Sequence, residues 1–342
     1  MKLFFAGMIG LVFFSGVSAF VFAADTLPSQ TDGTKPLMYY TDHSFGANFA
    51  KDPKVVHFKG RYYMYYTTHR GSKGIAVGIA ASDDLTRWTK VGDMLPATDY
   101  EAKGLGAPGA VILGDKVHLF YQTYGNGAKD ALCHAVSEDG IHFERNATNP
   151  IFAPTGDWTC GRAIDADVVV DGDRMLLYWA TRDVDFKVQM IGLSAAPMDS
   201  GFVRSAWTQL CEGPILKPQL PWEKECIEAA SVFQRNGRFY MFYAGAYNAQ
   251  PQQIGVAVSQ DGVKWERMSQ LPLLPNGRPG SWNQHESGHP GVFVDDDSTM
   301  HLFFQGTNDN QKSWYLSRMG IRWDGDKPYL VRPKDGKEFH LK

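Results

Sequence analysis

Four residues carry the chemistry this sequence offers, and they recur at a regular interval: Asp52, Asp165, Glu228 and His289. Each stands just ahead of a run rich in valine, tyrosine and phenylalanine. A pair of carboxyl groups flanking a sugar can cleave a glycosidic bond, one protonating the leaving oxygen while the other activates water or attacks directly. A third charged group nearby can set the protonation of that pair. Taken singly, each acid could equally cap a loop or pair with Arg162, Arg182 or Lys224. Three acids at matched positions of a repeat call for a functional account.

The repeat is what must position them. Five strand-like segments begin at Lys54, Ala110, Asp167, Ser231 and Gly291, and their first core valines are Val55, Val111, Val168, Val232 and Val292. Successive steps are 56, 57, 64 and 60 residues, a period that marks a propeller-like array. Asp52, Pro108, Asp165 and His289 lie three residues before their valines, whereas Glu228 lies four before Val232. Downstream of each segment come a second apolar strand, a turn such as Ser-Glu-Asp-Gly or Ser-Gln-Asp-Gly, and a strand bearing Trp or Phe. The expected fold is all-β, a five-bladed propeller with four antiparallel strands per blade. Matched positions in such a ring converge on one axis, so the four residues are expected in one pocket. Met38–Tyr40 or Tyr329–Val331 could supply a strand that closes the ring, and two stacked sandwich domains are the architectural alternative.

Composition narrows the partners. A formal charge of −3 without a Lys/Arg cluster argues against nucleic acid, and 35 Gly with 15 Tyr suits a turn-rich β protein. Residues 1–23 read as a signal peptide, with the apolar run Leu3–Phe22 ending at Val21-Phe22-Ala23. Residues 24–37 then form an N-terminal extension and 38–342 the catalytic domain, expected to be secreted or periplasmic with no membrane association after processing. In an oxidising compartment Cys133, Cys160, Cys211 and Cys226 could pair, with Cys211–Cys226 bracing a loop before Glu228, or remain as free buried thiols. Asn146-Ala147-Thr148 fits a glycosylation acceptor.

At the axial residues the chain resembles glycoside hydrolase family 43, with kinship to families 32, 68 and 117. The stretches that carry the resemblance are Lys51-Asp52-Pro53, Gly106-Ala107-Pro108, Ile164-Asp165-Ala166, Ile227-Glu228-Ala229-Ala230 and Ser287-Gly288-His289-Pro290. The resemblance implies that Asp52 is the general base, Glu228 the general acid and Asp165 the residue that orients and tunes the acid, in an inverting hydrolase needing no cofactor. It also implies that His289 can sit, through waters, at a structural calcium on the axis; a hydrogen-bonded axial histidine is the alternative, since calcium prefers oxygen. The chain departs from the pattern at Ala166 and at Ala229-Ala230, where Pro and Gly-Pro are expected. Glu225 and Asp167 are close enough to compete for the acid and tuning roles. By analogy with the anhydrogalactose-releasing relatives, His289, or His285 beside Glu286, could deliver the proton instead.

Sugar recognition calls for flat apolar faces and forked donors. Trp158, Tyr247 and Trp282 are candidate platforms, Arg182 a candidate donor, and Trp179 reads as core. The expected activity is removal of terminal sugars, arabinofuranoside-, xyloside-like or algal, from an oligo- or polysaccharide. A phosphorylase on this fold would need an Arg/Lys/His cluster, which the sequence does not place beside Glu228. A non-catalytic sugar-binding propeller and a protein-interaction platform are the remaining readings.

Overall fold

The computed structural model describes residues 39–333 and 337–341, so the expected signal peptide and N-terminal extension lie outside the described residues. The five repeats form five antiparallel sheets, four of four strands and the last of five. The inner strands are Lys51–Phe58, Leu105–Leu113, Ile164–Asp171, Ile227–Arg235 and Glu286–Val294. The second strands are Arg61–His69, Lys116–Thr123, Arg174–Arg182, Arg238–Gly245 and Met300–Thr307, and they are buried on both faces. Both-face burial explains their unbroken aromatic runs. An apolar cluster fills each gap between neighbouring blades; Val56, Tyr65, Leu119 and Tyr121, for example, join blades one and two. A further four clusters complete the circuit, the last joining Val55 and Tyr66 of blade one to Phe293 and Phe303 of blade five. Among the described residues no helix is long and apolar enough to cross a membrane.

Every inner strand carries a β-bulge at the same place. Pairing with the second strand skips residues 52–53, 107–108, 165–166, 229–230 and 289–290. The first residue of each bulge has a left-handed backbone: φ is 54° at Asp52, 43° at Ala107, 52° at Asp165, 52° at Ala229 and 45° at His289. Left-handed geometry costs a non-glycine residue about 1–2 kcal/mol, so the surroundings must hold it. Part of the support is a hydrogen bond from the preceding blade. The bulge amides of Asp52, Ala107 and Asp165 donate to Gln305 Oε1 (2.8 Å), Thr67 Oγ1 (2.7 Å) and Gln122 Oε1 (2.7 Å) respectively. The bulge turns side chains toward the axis that a regular strand would send into the sheet.

This register corrects the alignment of blade two. Lys54, Gly109, Asp167, Ser231 and Gly291 are the equivalent residues that follow the bulges. The partner of Val55 is therefore Ala110 rather than Val111, and the residue matching Asp52 is Ala107 rather than Pro108. Glu228 keeps its offset, preceding its bulge as Lys51 does in blade one.

Closure follows the first of the two expected routes at one residue: Tyr40 pairs with Leu316 of blade five, whereas Tyr329–Val331 lies in Lys327–Val331, which with Glu338–His340 forms the outer strands of blade five itself. Tyr40 bridges Leu316, and Phe49 bridges Trp314. The same pattern links neighbouring blades elsewhere, through Ile191–Leu216 and Gln189–Cys226, and through Ile254–Leu274 and Gln252–Glu286. Segment 40–50 thus acts as an inter-blade connection whose covalent link to blade five is missing.

Candidate active site

The bulges bring Asp52, Asp165 and His289 to one floor, and Glu228 joins them from the residue before its bulge. All four line a single cleft at the axis. His289 lies between two carboxylates, with Nδ1 2.8 Å from Asp52 Oδ1 and Nε2 3.1 Å from Glu228 Oε1. Asp52 also accepts a bond from Thr67 Oγ1. Glu228 accepts from Gln252 Nε2 at 2.6 Å and from Gln189 Nε2. Asp165 has one carboxylate oxygen, Oδ2, with no hydrogen-bond partner within the protein.

Burial and neighbouring charge set the protonation of this group. Burial alone would raise Asp52, but the His289 and Lys51 charges outweigh it and hold the carboxyl well below its usual range. Glu228 is likewise opposed by burial and drawn below its ordinary value, chiefly by the His289 hydrogen bond. Burial works against charge on His289, yet Asp52 and Glu228 raise its pKa well above normal. Asp165 goes the other way: burial and then the Glu228 charge push it up to about 7. In the unliganded site near neutral pH, Asp52 and Glu228 are therefore carboxylates, His289 is an imidazolium, and Asp165 is partly protonated.

Several expected site residues take other places. Trp158 stacks on Trp179, ring centroids 5.7 Å apart, in the cluster between blades two and three. Trp282 packs edge-on to Tyr39 at 5.8 Å and against Phe304 at 5.8 Å. Both rings are absorbed by packing and neither lines the cleft; Arg182 and Tyr247 do line it. Glu225 is exposed, and Asp167 is turned below the floor, where it pairs with Lys54 and accepts the Val232 amide at 2.7 Å. Neither can compete with Glu228 or Asp165 in the cleft. His285 accepts the Asn310 amide at 3.2 Å, and Glu286 is buried against Gln305 and the Ala249 amide. All four cysteines are free, with Cys211 Sγ near the Leu193 backbone rather than bound to Cys226. The Asn146 amide is committed to the Gly201 carbonyl at 3.0 Å, which disfavours it as a glycan acceptor.

Residues that sequence reasoning passed over complete the cleft: Lys51, Thr67, Gln122, Arg162, Gln189 and Asn248. Gln122 and Gln305 follow matching Leu-Phe-aromatic triplets in their second strands, Leu119-Phe120-Tyr121 and Leu302-Phe303-Phe304, so the repeat itself held their signal. Lys51, Arg162 and Arg182 also correct the expectation that no cationic cluster lies beside Glu228. Ligand atoms of Asp165, Glu228 and His289 lie within 4.8 Å of one another, close enough to hold a metal ion. They do not fit a calcium bonded directly to His289, because both ring nitrogens already face carboxylates.

The sequence profile described as Glycosyl hydrolases family 43 matches residues 42–325. The chain belongs to that family. Family 43 enzymes generally need no cofactor. A crystal structure of a thermostable family-43 glycoside hydrolase shares the fold, with a TM-score of 0.69 at 20% identity over 89% of this chain and 99% of that one. Two curated relatives match shorter stretches. Xylosidase/arabinosidase 43A of Humicola insolens is 29% identical over 121 residues, 34% of each chain. A β-1,2-mannobiose phosphorylase of Thermoanaerobacter is 27% identical over 134 residues, 35% of this chain and 42% of the phosphorylase. The matched part spans well under half the length of either relative.

Proposed function

We propose that this family-43 chain is an exo-acting, inverting glycosidase in which Asp52 activates water, Glu228 protonates the leaving oxygen and Asp165 tunes Glu228. The observation that carries the reading is the imidazole lying between Asp52 and Glu228. It sets the two carboxylates on opposite sides of a ring rather than in contact, as expected of an inverting pair, whose carboxyl groups stand about 6.5–9.5 Å apart. Asp52, kept ionised, suits a base. Glu228 needs a proton before it can act as acid, and His289 and Asp165 are the proton-bearing groups beside it. Loops wall the cleft on one side, with Tyr247 Oη donating to the Lys187 carbonyl at 2.7 Å and Lys51 Nζ to Asn248 Oδ1 at 2.8 Å. A walled cleft supports release of one terminal sugar. Arabinofuranosides and xylosides are the first substrates to try, given the Humicola relative. Export to the periplasm or medium is part of the proposal and rests on the apolar run Leu3–Phe22.

A second reading, phosphorolysis, is favoured by Lys51, a cation of the cleft whose charge acts on Asp52, and by the mannobiose phosphorylase match. One experiment tests both. The purified protein is assayed on aryl glycosides and on arabino-, xylo- and algal oligosaccharides beside D52N, with and without phosphate, and the first-formed anomer is read by NMR. Phosphate-independent release of the inverted anomer by wild type alone supports hydrolysis as proposed. Retention of configuration, or full activity in D52N, overturns it, and sugar phosphate as product establishes the second reading.

A further inference from the structure

We propose that blade three supplies a subsite for the carboxylate of an acidic sugar on the leaving-group side of the scissile bond; this placement rests on Glu228 being the acid. Arg182 stands between two aromatic rings, 4.6 Å from the Phe186 centroid and 4.9 Å from that of Tyr247. A guanidinium held between rings keeps a fixed plane and presents its N–H edge, the geometry that grips a carboxylate with two parallel bonds. Its Nε donates to Gln189 Oε1 at 3.0 Å, and no carboxylate pairs with it among the described residues. Arg162 faces the same Phe186 ring at 5.9 Å and is only 8% exposed. Its nearest acid, Asp130, lies 3.5 Å away, and the Arg162 Nε makes no hydrogen bond. Burying a guanidinium so incompletely satisfied is costly unless a ligand completes it. Both arginines line the cleft.

The placement of the anion follows from Gln189, which bonds Arg182 through its oxygen and Glu228 through its nitrogen. An anion on Arg182 is thus one side chain away from the proton donor. An attacking phosphate would have to stand with Asp52, on the opposite face of the sugar. An anion beside Glu228 belongs to the group that leaves, which points to a uronic acid residue rather than to inorganic phosphate.

The test is calorimetric binding of glucuronate and galacturonate, glucose and galactose, and inorganic phosphate to the full protein and to R182Q and R162Q. Melting temperatures confirm that the variants fold, and R162Q serves if R182Q does not. The expected result is uronate binding about tenfold or more tighter than the matching neutral sugar, as for a charge-assisted pair, with the advantage lost in R182Q, reduced in R162Q and weakened by salt. Equal affinity for acid and neutral sugars, or an advantage that survives both substitutions, overturns the subsite. Phosphate binding more tightly than uronate and accelerating sugar release overturns the carboxylate assignment. Binding is read without turnover, so a uronate preference in a protein that releases no sugar sinks the glycosidase reading while the subsite stands. Hydrolysis without that preference does the reverse.

Discussion

His289 and Asp52 face each other across the one gap in the ring that no covalent connection spans, Nδ1 of the imidazole 2.8 Å from Oδ1 of the carboxylate. Blade five thereby holds the charge of the proposed base on blade one. Replacing His289 with Gln removes that cation while leaving Asp52 buried, so the Asp52 pKa should climb. The acidic limb of the kcat/KM profile is expected to move to higher pH. A profile with its acidic limb in place would show that His289 does not set Asp52.

D52N and E228Q are each expected to lower kcat by about 10²–10⁴-fold, the usual weight of a general acid or base. Melting temperatures should fall modestly, because each amide keeps one accepting oxygen while its NH2 must face a group that donates to the carboxylate now, Thr67 or His289 at Asp52 and Gln189, Gln252 or His289 at Glu228. The two variants should separate by leaving group. E228Q keeps more activity on a nitrophenyl glycoside, whose oxygen leaves without protonation, than on an alkyl glycoside. D52N loses both alike, and a D52N that spared the nitrophenyl substrate would reverse the assigned roles.

Much of this site could be read from the chain because the repeat does the placing. Any residue just ahead of a core strand lands on the axis, so Asp52, Asp165, Glu228 and His289 were legible from spacing and residue type. The bulge was not. In blade two Ala110 replaces the valine, and matching by valine slipped the alignment by one residue, a shift only strand pairing reveals. The aromatic platforms were misread for a different reason. A tryptophan in a loop looks free in sequence, yet Trp158 and Trp282 are covered by residues far along the chain, Trp179 and Phe304. Gln189 acts through geometry alone, with nothing in its local sequence to set it apart, and Arg162, read as a possible partner of an axial acid, pairs instead with Asp130.

Asp165 should make the protein less stable as the medium turns neutral. Its folded pKa of about 7 lies above the unfolded value of 3.8. The folded state therefore holds the proton more tightly between those values, and stability present below about pH 4 is lost as pH rises through about 7. His289 adds a loss of the same sign, beginning above its ordinary value of 6.5. D165N should flatten the fall between about pH 4 and 7, measured by urea unfolding at several pH values beside wild type. A wild-type stability that rises steadily through that window would contradict the buried, protonated Asp165.

Gly291 is expected to tolerate no side chain. A Cβ there would lie 2.0 Å from the Pro53 carbonyl oxygen and 3.1 Å from its carbon. Backbone cannot step aside as a flexible side chain can, so G291A should cost about 1–3 kcal/mol of stability. It should also reduce activity, because Pro53 follows the proposed base directly. Gly114, with nothing within 4 Å of a Cβ but a φ of +60°, is the control: G114A should carry the backbone penalty alone and leave activity unchanged.

The missing link between segment 40–50 and blade five gives the ring a natural point of failure. There the joint is held by the Tyr40–Leu316 and Phe49–Trp314 bridges, by one apolar cluster and by side-chain bonds such as those of Asp52 to Gln305 and His289. Partial opening is cheapest where no peptide bond must be carried along. Such an opening would draw Asp52 from His289 while every blade kept its own sheet. Mild denaturant should then silence the enzyme before circular dichroism registers any loss of strand, making turnover the more sensitive gauge of whether the circle is shut.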